Sequence, residues 1–151
     1  GRTFAADMAR LLALDYGTKR VGVAVTDPSQ LIASPLTTVL THELLAWLKR
    51  YVAAEPVAAL VVGLPRHLDG GPTDTTPHVV GLVRTLKKHF PDVPVHTVDE
   101  RFTSTMAHHT MLAGGLGRKA RQDKATVDKV SAAIILQSYM ESRANQSGAT
   151  A

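Results

Sequence analysis

The sequence predicts one α/β domain built on a mixed five-stranded sheet, an antiparallel meander followed by parallel strands, with helices on both faces. Three observations carry this. Short apolar runs separated by turn residues fill the first forty positions; from Thr41 segments of helical period alternate with apolar runs; and Val57–Leu64 is a continuous apolar stretch, as in strands covered on both faces. At 151 residues, 44% hydrophobic and 20% charged, the chain suits a single core and neither a collagen-like nor a mainly disordered polymer.

Leu11-Leu12-Ala13-Leu14 ends in Asp15-Tyr16-Gly17-Thr18-Lys19-Arg20, and Val21-Gly22-Val23-Ala24-Val25 follows at once, which reads as two strands joined by a tight turn. Pro28, Ser29, Ser34 and Pro35 punctuate the next stretch, and Leu36–Leu40 supplies a third strand. Leu44, Leu45, Trp47, Leu48, Tyr51 and Val52 then recur at helical spacing, with Thr41 as the expected capping start. The strand Val57–Leu64 should lie inside the sheet. Pro65–Pro77, with three prolines and two glycines, is expected to be a long and functional loop. A second helical stripe comprises Val79, Val80, Leu82, Val83 and Leu86, with Arg84, Lys87, Lys88 and His89 late in it and Pro91 and Pro94 ending it. Val93–Val98 is the last strand. Thr103–Leu112 is expected as a short helix, Gly114, Gly115 and Gly117 as a flexible stretch, and a final helix runs from Asp123 or Thr126 to about Ser142. Residues 1–10 form an N-terminal extension, 11–142 the domain and 143–151 a disordered tail in this reading.

Composition narrows the chemistry. The absence of cysteine excludes disulfide frameworks, thiol catalysis and Cys-ligated zinc or iron–sulfur sites. No apolar run approaches the roughly 18 residues of a membrane span, and the first seven residues do not read as a secretory signal, so the expected location is the cytoplasm. Seventeen Lys and Arg against thirteen Asp and Glu give a formal charge of +4 and a pI near 9.6, compatible with a polyanionic partner. His67, His108 and His109 lack helical zinc-site spacing. The seven aromatics do not cluster on a strand, so recognition is expected to rest on backbone and shape.

Three carboxylates stand where a carboxylate is locally awkward. Asp15 ends an apolar strand, Glu100 follows another, and Asp128, near the start of the last helix, shares a small apolar face with Ala132 and Ile135. The carboxyl ends of parallel strands form the usual ligand crevice. Acids converging there would repel and be desolvated, a cost that oxygen-seeking divalent cations such as Mg²⁺ or Mn²⁺ relieve. Two such ions can drive an in-line phosphodiester displacement. The alternative is structural: Asp15 as a turn residue, Glu100 paired with Arg101 or Lys19, and Asp128 as a helix-dipole partner.

Four ordered motifs decide which reading is carried forward. Leu14-Asp15-Tyr16-Gly17-Thr18-Lys19-Arg20-Val21-Gly22-Val23-Ala24, Val62-Gly63-Leu64-Pro65 with Asp69-Gly70, Asp99-Glu100-Arg101-Phe102-Thr103-Ser104, and Asp128-Lys129-Val130-Ser131-Ala132-Ala133-Ile134-Ile135-Leu136-Gln137 together resemble the YqgF/RuvX family. The resemblance covers residues 11 to about 140 and implies a ribonuclease H-like fold. It also implies a nuclease, since members are described as pre-16S rRNA nucleases and some as Holliday junction resolvases. Carried over by motif, the family's acidic triad, catalytic and metal-binding, falls on Asp15, Glu100 and Asp128. The stretch Asp69–Pro77, and more mildly Phe102 and Ser104, depart from the family pattern.

Between Ala113 and Lys129 the basic residues Arg118, Lys119, Arg121, Lys124 and Lys129 outnumber Asp123 and Asp128. Arg118, Lys119, Arg121 and Lys124 are expected to grip the nucleic-acid backbone, with a solvated loop as the alternative. Lys19 and Arg20, beside Asp15, are placed on phosphate or as turn caps, and Arg101 as the residue that orients Glu100. The leading expectation is a metal-dependent endonuclease acting on pre-rRNA. A four-way DNA junction is the alternative substrate, requiring two coordinated sites and hence a homodimer in place of a monomer. An rRNA-binding assembly factor without catalysis is a third reading. Asp15-x-Gly17-Thr18 also resembles the first phosphate motif of the actin/Hsp70/sugar-kinase ATPases, but those need two such domains.

Overall fold

The computed structural model describes residues 8–65, 71, 73–100 and 123–150, with side chains to Arg143. Strands β1 (Arg10–Tyr16), β2 (Arg20–Thr26) and β3 (Ala33–Leu40) form an antiparallel meander. Strand β4 (Val57–Leu64) pairs parallel with β1, and β5 (Val95–Asp99) parallel with β4, giving the order β3-β2-β1-β4-β5. The mixed five-stranded sheet and the interior position of β4 are as the sequence predicts. A 3₁₀ turn over Thr41–Glu43 and helices α1 (Leu44–Ala54), α2 (Thr76–His89) and α3 (Lys124–Thr150) complete the described elements. The expected helix Thr103–Leu112 and the glycine stretch after it lie outside the described residues.

Several boundaries differ from the sequence reading, each for a local reason. Strand β3 begins at Ala33 and runs through Pro35, which an edge strand tolerates, and the β2–β3 register shifts between Val23 and Ala24. Thr41 is no helix cap: its hydroxyl donates to the Gly17 carbonyl at 2.7 Å and its N–H to that of Lys19 at 3.0 Å, tying the entry of α1 to the β1–β2 turn. Helix α2 begins at Thr76 with Pro77 in its first turn, where a missing N–H costs nothing. The Thr76 hydroxyl donates to the Pro65 carbonyl at 2.7 Å and anchors the helix start at the end of β4. Strand β5 starts at Val95 because Pro94 has no N–H to give, although its carbonyl accepts from Leu60 at 2.8 Å. Helix α3 continues past the expected end at Ser142, through residues 143–147 that contain neither glycine nor proline.

The two faces of the sheet differ in side-chain size. On one, Leu12, Leu14, Val21, Val23, Leu60 and Val62 pack against Leu44 and Leu48 of α1 and Val79 and Leu86 of α2. On the other, Leu11, Ala13, Ala24, Ala59 and Val61 meet Ala132, Ile135 and Leu136 of α3. Alanines there let α3 lie close to the sheet. At Gly22 it touches bare backbone, since a Cβ would collide with the Asp128 carbonyl and the Lys129 nitrogen. The Thr38 hydroxyl on β3 donates to the Ala125 carbonyl at 2.6 Å and holds the start of the helix in place.

Two alanine substitutions separate this contact from general glycine effects. Gly22→Ala drives a methyl into helix backbone and should lower Tm by roughly 4–10 °C, the size of an overpacking cost of about 2–3 kcal/mol in a chain of this length. Gly81→Ala, in α2 with nothing within 4 Å of the added carbon, should raise Tm by about 1–3 °C through a less flexible unfolded chain. Thermal unfolding of both variants is the measurement, and a Gly22→Ala protein as stable as the wild type contradicts the packing.

Candidate active site

The register of the parallel strands assembles the site. Asp15, next to last in β1, takes the same face as Leu11 and Ala13, toward α3. Gly63 lies on that face near the end of β4, one step beyond the Leu14–Val62 pair. Glu100 follows β5 directly and extends the ladder, its N–H donating to the Leu64 carbonyl at 3.0 Å, so it takes the face of Val98. The Glu100 carboxyl occupies the space over Gly63: a Cβ on that glycine would lie 2.6 Å from Glu100 Cδ and 2.5 Å from Ile135 Cδ1. There Glu100 and Asp15 meet in a side-chain hydrogen bond.

Two carboxyl groups in a hydrogen bond must hold a proton between them. Burial pushes Asp15 up to about 6, opposed by its hydrogen bond to Glu100 and reinforced by the charge of Asp128. Burial pushes Glu100 up to about 9, with the charge of Asp15, the hydrogen bond to Asp15 and the charge of Asp99 acting in the same direction. Thus Glu100 pairs with Asp15, and Asp15 belongs to a strand, against the turn-residue alternative.

Asp128 is brought near by α3, whose backbone at this residue rests on Gly22, the cross-strand partner of Asp15. Ala132 and Ile135, on its helix face, are fully buried, as the spacing predicts. The carboxylate itself accepts from Arg20 Nε at 3.4 Å. Its pKa is raised by desolvation, against the lowering effects of Arg20 and Lys124. Among the described residues no group of three or more His, Asp or Glu side chains closes into a metal-binding cluster. Asp15 and Glu100 touch, while Asp128 stands within electrostatic reach of Asp15 and is turned to Arg20.

Of the expected backbone-gripping residues, Lys19 is exposed in the β1–β2 turn, Arg20 is the partner of Asp128, and Lys124 is exposed at the start of α3. Arg101, Arg118, Lys119 and Arg121 lie outside the described residues, as do His67, His108 and His109. Sequence reasoning missed the role of Gly63. The available signal was a lone glycine inside an apolar strand, which marks close approach by another group.

A meander continued by parallel strands, a long helix across the small-residue face and acidic groups at the carboxyl ends of β1 and β5 define a ribonuclease H-like domain. The chain belongs to the RuvX family, described as Holliday junction resolvase, which it matches over residues 9–142. A Bacteroides thetaiotaomicron protein named "Putative pre-16S rRNA nuclease" is 54% identical over 136 residues, covering 90% of this chain and 99% of that protein. A Flavobacterium johnsoniae protein of the same name is 48% identical over 136 residues, again covering 90% and 99%. In three dimensions, Thermus thermophilus RuvC in complex with Holliday junction substrate superposes with a TM-score of 0.54 at 15% identity, covering 87% of this chain and 96% of that one, and shares the fold. The protein is therefore a nuclease, an enzyme that hydrolyses phosphodiester bonds.

The carboxyl pair predicts an unusual pH profile for the metal-free protein. Both folded-state pKa values lie above their ordinary range, so the folded chain binds more protons than the unfolded one; this stability is complete in acid and is lost as pH rises through about 6 and then about 9. Asp15→Asn removes the repulsion, so with EDTA it should melt a few degrees above the wild type at pH 8, the shift that about 1–2 kcal/mol gives at this size. The gap should close near pH 5. Gly63→Ala, which displaces Glu100, should fold and flatten the same profile. Parallel melting curves from pH 5 to 9 would contradict the pairing.

Proposed function

We propose that this nuclease processes the 5′ end of pre-16S rRNA in ribosome biogenesis, with Asp15, Glu100 and Asp128 as its catalytic acids and as the holders of Mg²⁺ or Mn²⁺. One observation carries the site: two partly buried carboxyl groups meet over Gly63, at the carboxyl ends of adjacent parallel strands. The names of relatives about half identical over nearly their full length support the substrate.

The donor set fits a hard divalent cation. It is oxygen-only, partly buried, and already needs a positive charge, which a proton supplies between Asp15 and Glu100. When bound, such an ion supplies the Lewis acidity that activates water and stabilises the leaving oxygen of an in-line displacement. The protein's own residues do the rest. Asp15 and Glu100 are held rigidly by strand ladders, and α3 brings Asp128 to their rim. Lys19 and Lys124, exposed beside them, meet phosphates of the incoming strand, and Arg118, Lys119 and Arg121 extend that grip along the backbone. Arg101 orients Glu100. Among the described residues no helix is long and apolar enough to cross a membrane, and we place the enzyme in the cytoplasm.

The family description and the shared RuvC fold favour a second reading, a four-way DNA junction as substrate. Symmetric resolution needs two sites and hence a dimer on DNA, whereas RNA trimming works from a monomer.

The deciding experiment incubates wild-type protein and Asp15→Asn with Mg²⁺ or Mn²⁺ and labelled 16S precursor RNA, a four-way DNA junction, or matched duplex DNA. Wild type should cut the precursor near its 5′ end, and Asp15→Asn should lose more than about a hundredfold of that rate while still binding RNA. Cleavage of the junction alone moves the assignment to recombination. Binding without cleavage in any lane marks an assembly factor instead.

A further inference from the structure

Asp128 stands between two competing partners. Arg20, Gly22 and Ala24 alternate onto the face of β2 that looks toward α3, and Gly22 is the cross-strand partner of Asp15. Helix α3 rests its Asp128 backbone on Gly22, so its carboxylate, bonded to the Arg20 guanidinium, also lies within electrostatic reach of Asp15. In this structure it faces the guanidinium. The contact is loose: Arg20 Nε reaches one oxygen at 3.4 Å, and the side chains of Arg20 and Asp128 are 32% and 28% exposed. An ion pair that long, single-pronged and open to water is easily displaced. A phosphate offers the guanidinium two parallel hydrogen bonds in its preferred planar geometry.

We propose that Arg20 is a positioning residue that latches Asp128 away from the other two acids, and that a phosphate of the incoming nucleic-acid strand takes over its guanidinium and releases Asp128 toward them. This rests on the reading of Asp15, Glu100 and Asp128 as the metal-holding acids. Without substrate, only two acids are available and a cation binds weakly. When the strand arrives, the third joins, so substrate and cation each tighten the binding of the other by the same factor. The basic residue beside the active site thereby couples strand recognition to completion of the acid cluster.

The test reads binding and needs no turnover. Mn²⁺ alone is titrated by calorimetry into the metal-free full chain as wild type, Arg20→Gln and Asp15→Asn. Arg20→Gln should bind Mn²⁺ about 5–30-fold more tightly than wild type, within the usual range of coupling between sites, and Asp15→Asn should lose most of the affinity. Unchanged or weaker binding in Arg20→Gln, with Asp15→Asn still defective, overturns the latch and leaves the acid site standing. Unchanged binding in Asp15→Asn overturns both. A second measurement needs no variant: the anisotropy of a labelled RNA hairpin, in Ca²⁺ and in EDTA, should show the wild type binding RNA several-fold more tightly with the cation. Equal affinities in the two buffers overturn the latch even if Arg20→Gln does not fold.

Discussion

The close approach of α3 to the sheet is the constraint on which the site depends. It is possible because the face beneath the helix carries Ala13, Ala24, Ala59 and the bare backbone of Gly22, while the opposite face carries leucines and valines. Packing interiors at crystal-like density leaves no slack for an added methyl against a helix backbone. The depth at which α3 sits decides where Asp128 stands relative to Asp15. The same closeness reduces the exposure of Asp15 and Glu100 to water, so packing and electrostatics at this site have one origin.

That geometry sets stability against chemistry. A partly desolvated carboxyl pair costs free energy whenever both groups are ionised, and the surrounding apolar layers must offset that cost. The cost persists because strand hydrogen bonds fix the backbone of both residues beside each other. Glu100 is pinned by its own N–H on the Leu64 carbonyl, and Asp15 by its pairing with Gly22. Active sites commonly keep such local strain where the scaffold over-determines it. Here the scaffold is two hydrophobic layers sharing one sheet.

Strand order, helix order and the faces of the helices were legible because burial imposes a period that sequence must obey: Val57–Leu64 reads as an interior strand since both of its faces are covered. The acids were legible as individuals, each standing at the end of an apolar run. Their pairing was not. Nothing in the spacing of Asp15 and Glu100 says that a glycine on a third strand makes room for one to reach the other, and the partner of Asp128, Arg20, is 108 residues away in the chain. Boundaries moved where a side chain had a better use than the local rule assigns, as with Thr41, which bonds to a turn instead of capping a helix. The stacking of His96 on Tyr139 at 5.3 Å joins β5 to α3 with no signal in either segment.

The same occupancy bears on the resemblance of Asp15-x-Gly17-Thr18 to the phosphate turn of a class of ATPases. Above Gly63 stand the Glu100 carboxyl and Ile135; above Gly22 stands the backbone of α3. The turn itself is short, with the Gly17 carbonyl engaged by the Thr41 hydroxyl and the Lys19 carbonyl by the Thr41 N–H, which ties it to the start of α1. Among the described residues, Lys19 and Lys124 are exposed and Arg20 and Asp128 partly so. In the proposed function these residues are where a nucleic-acid strand arrives, phosphate first, so that the phosphodiester reaches the acids without the base entering the protein.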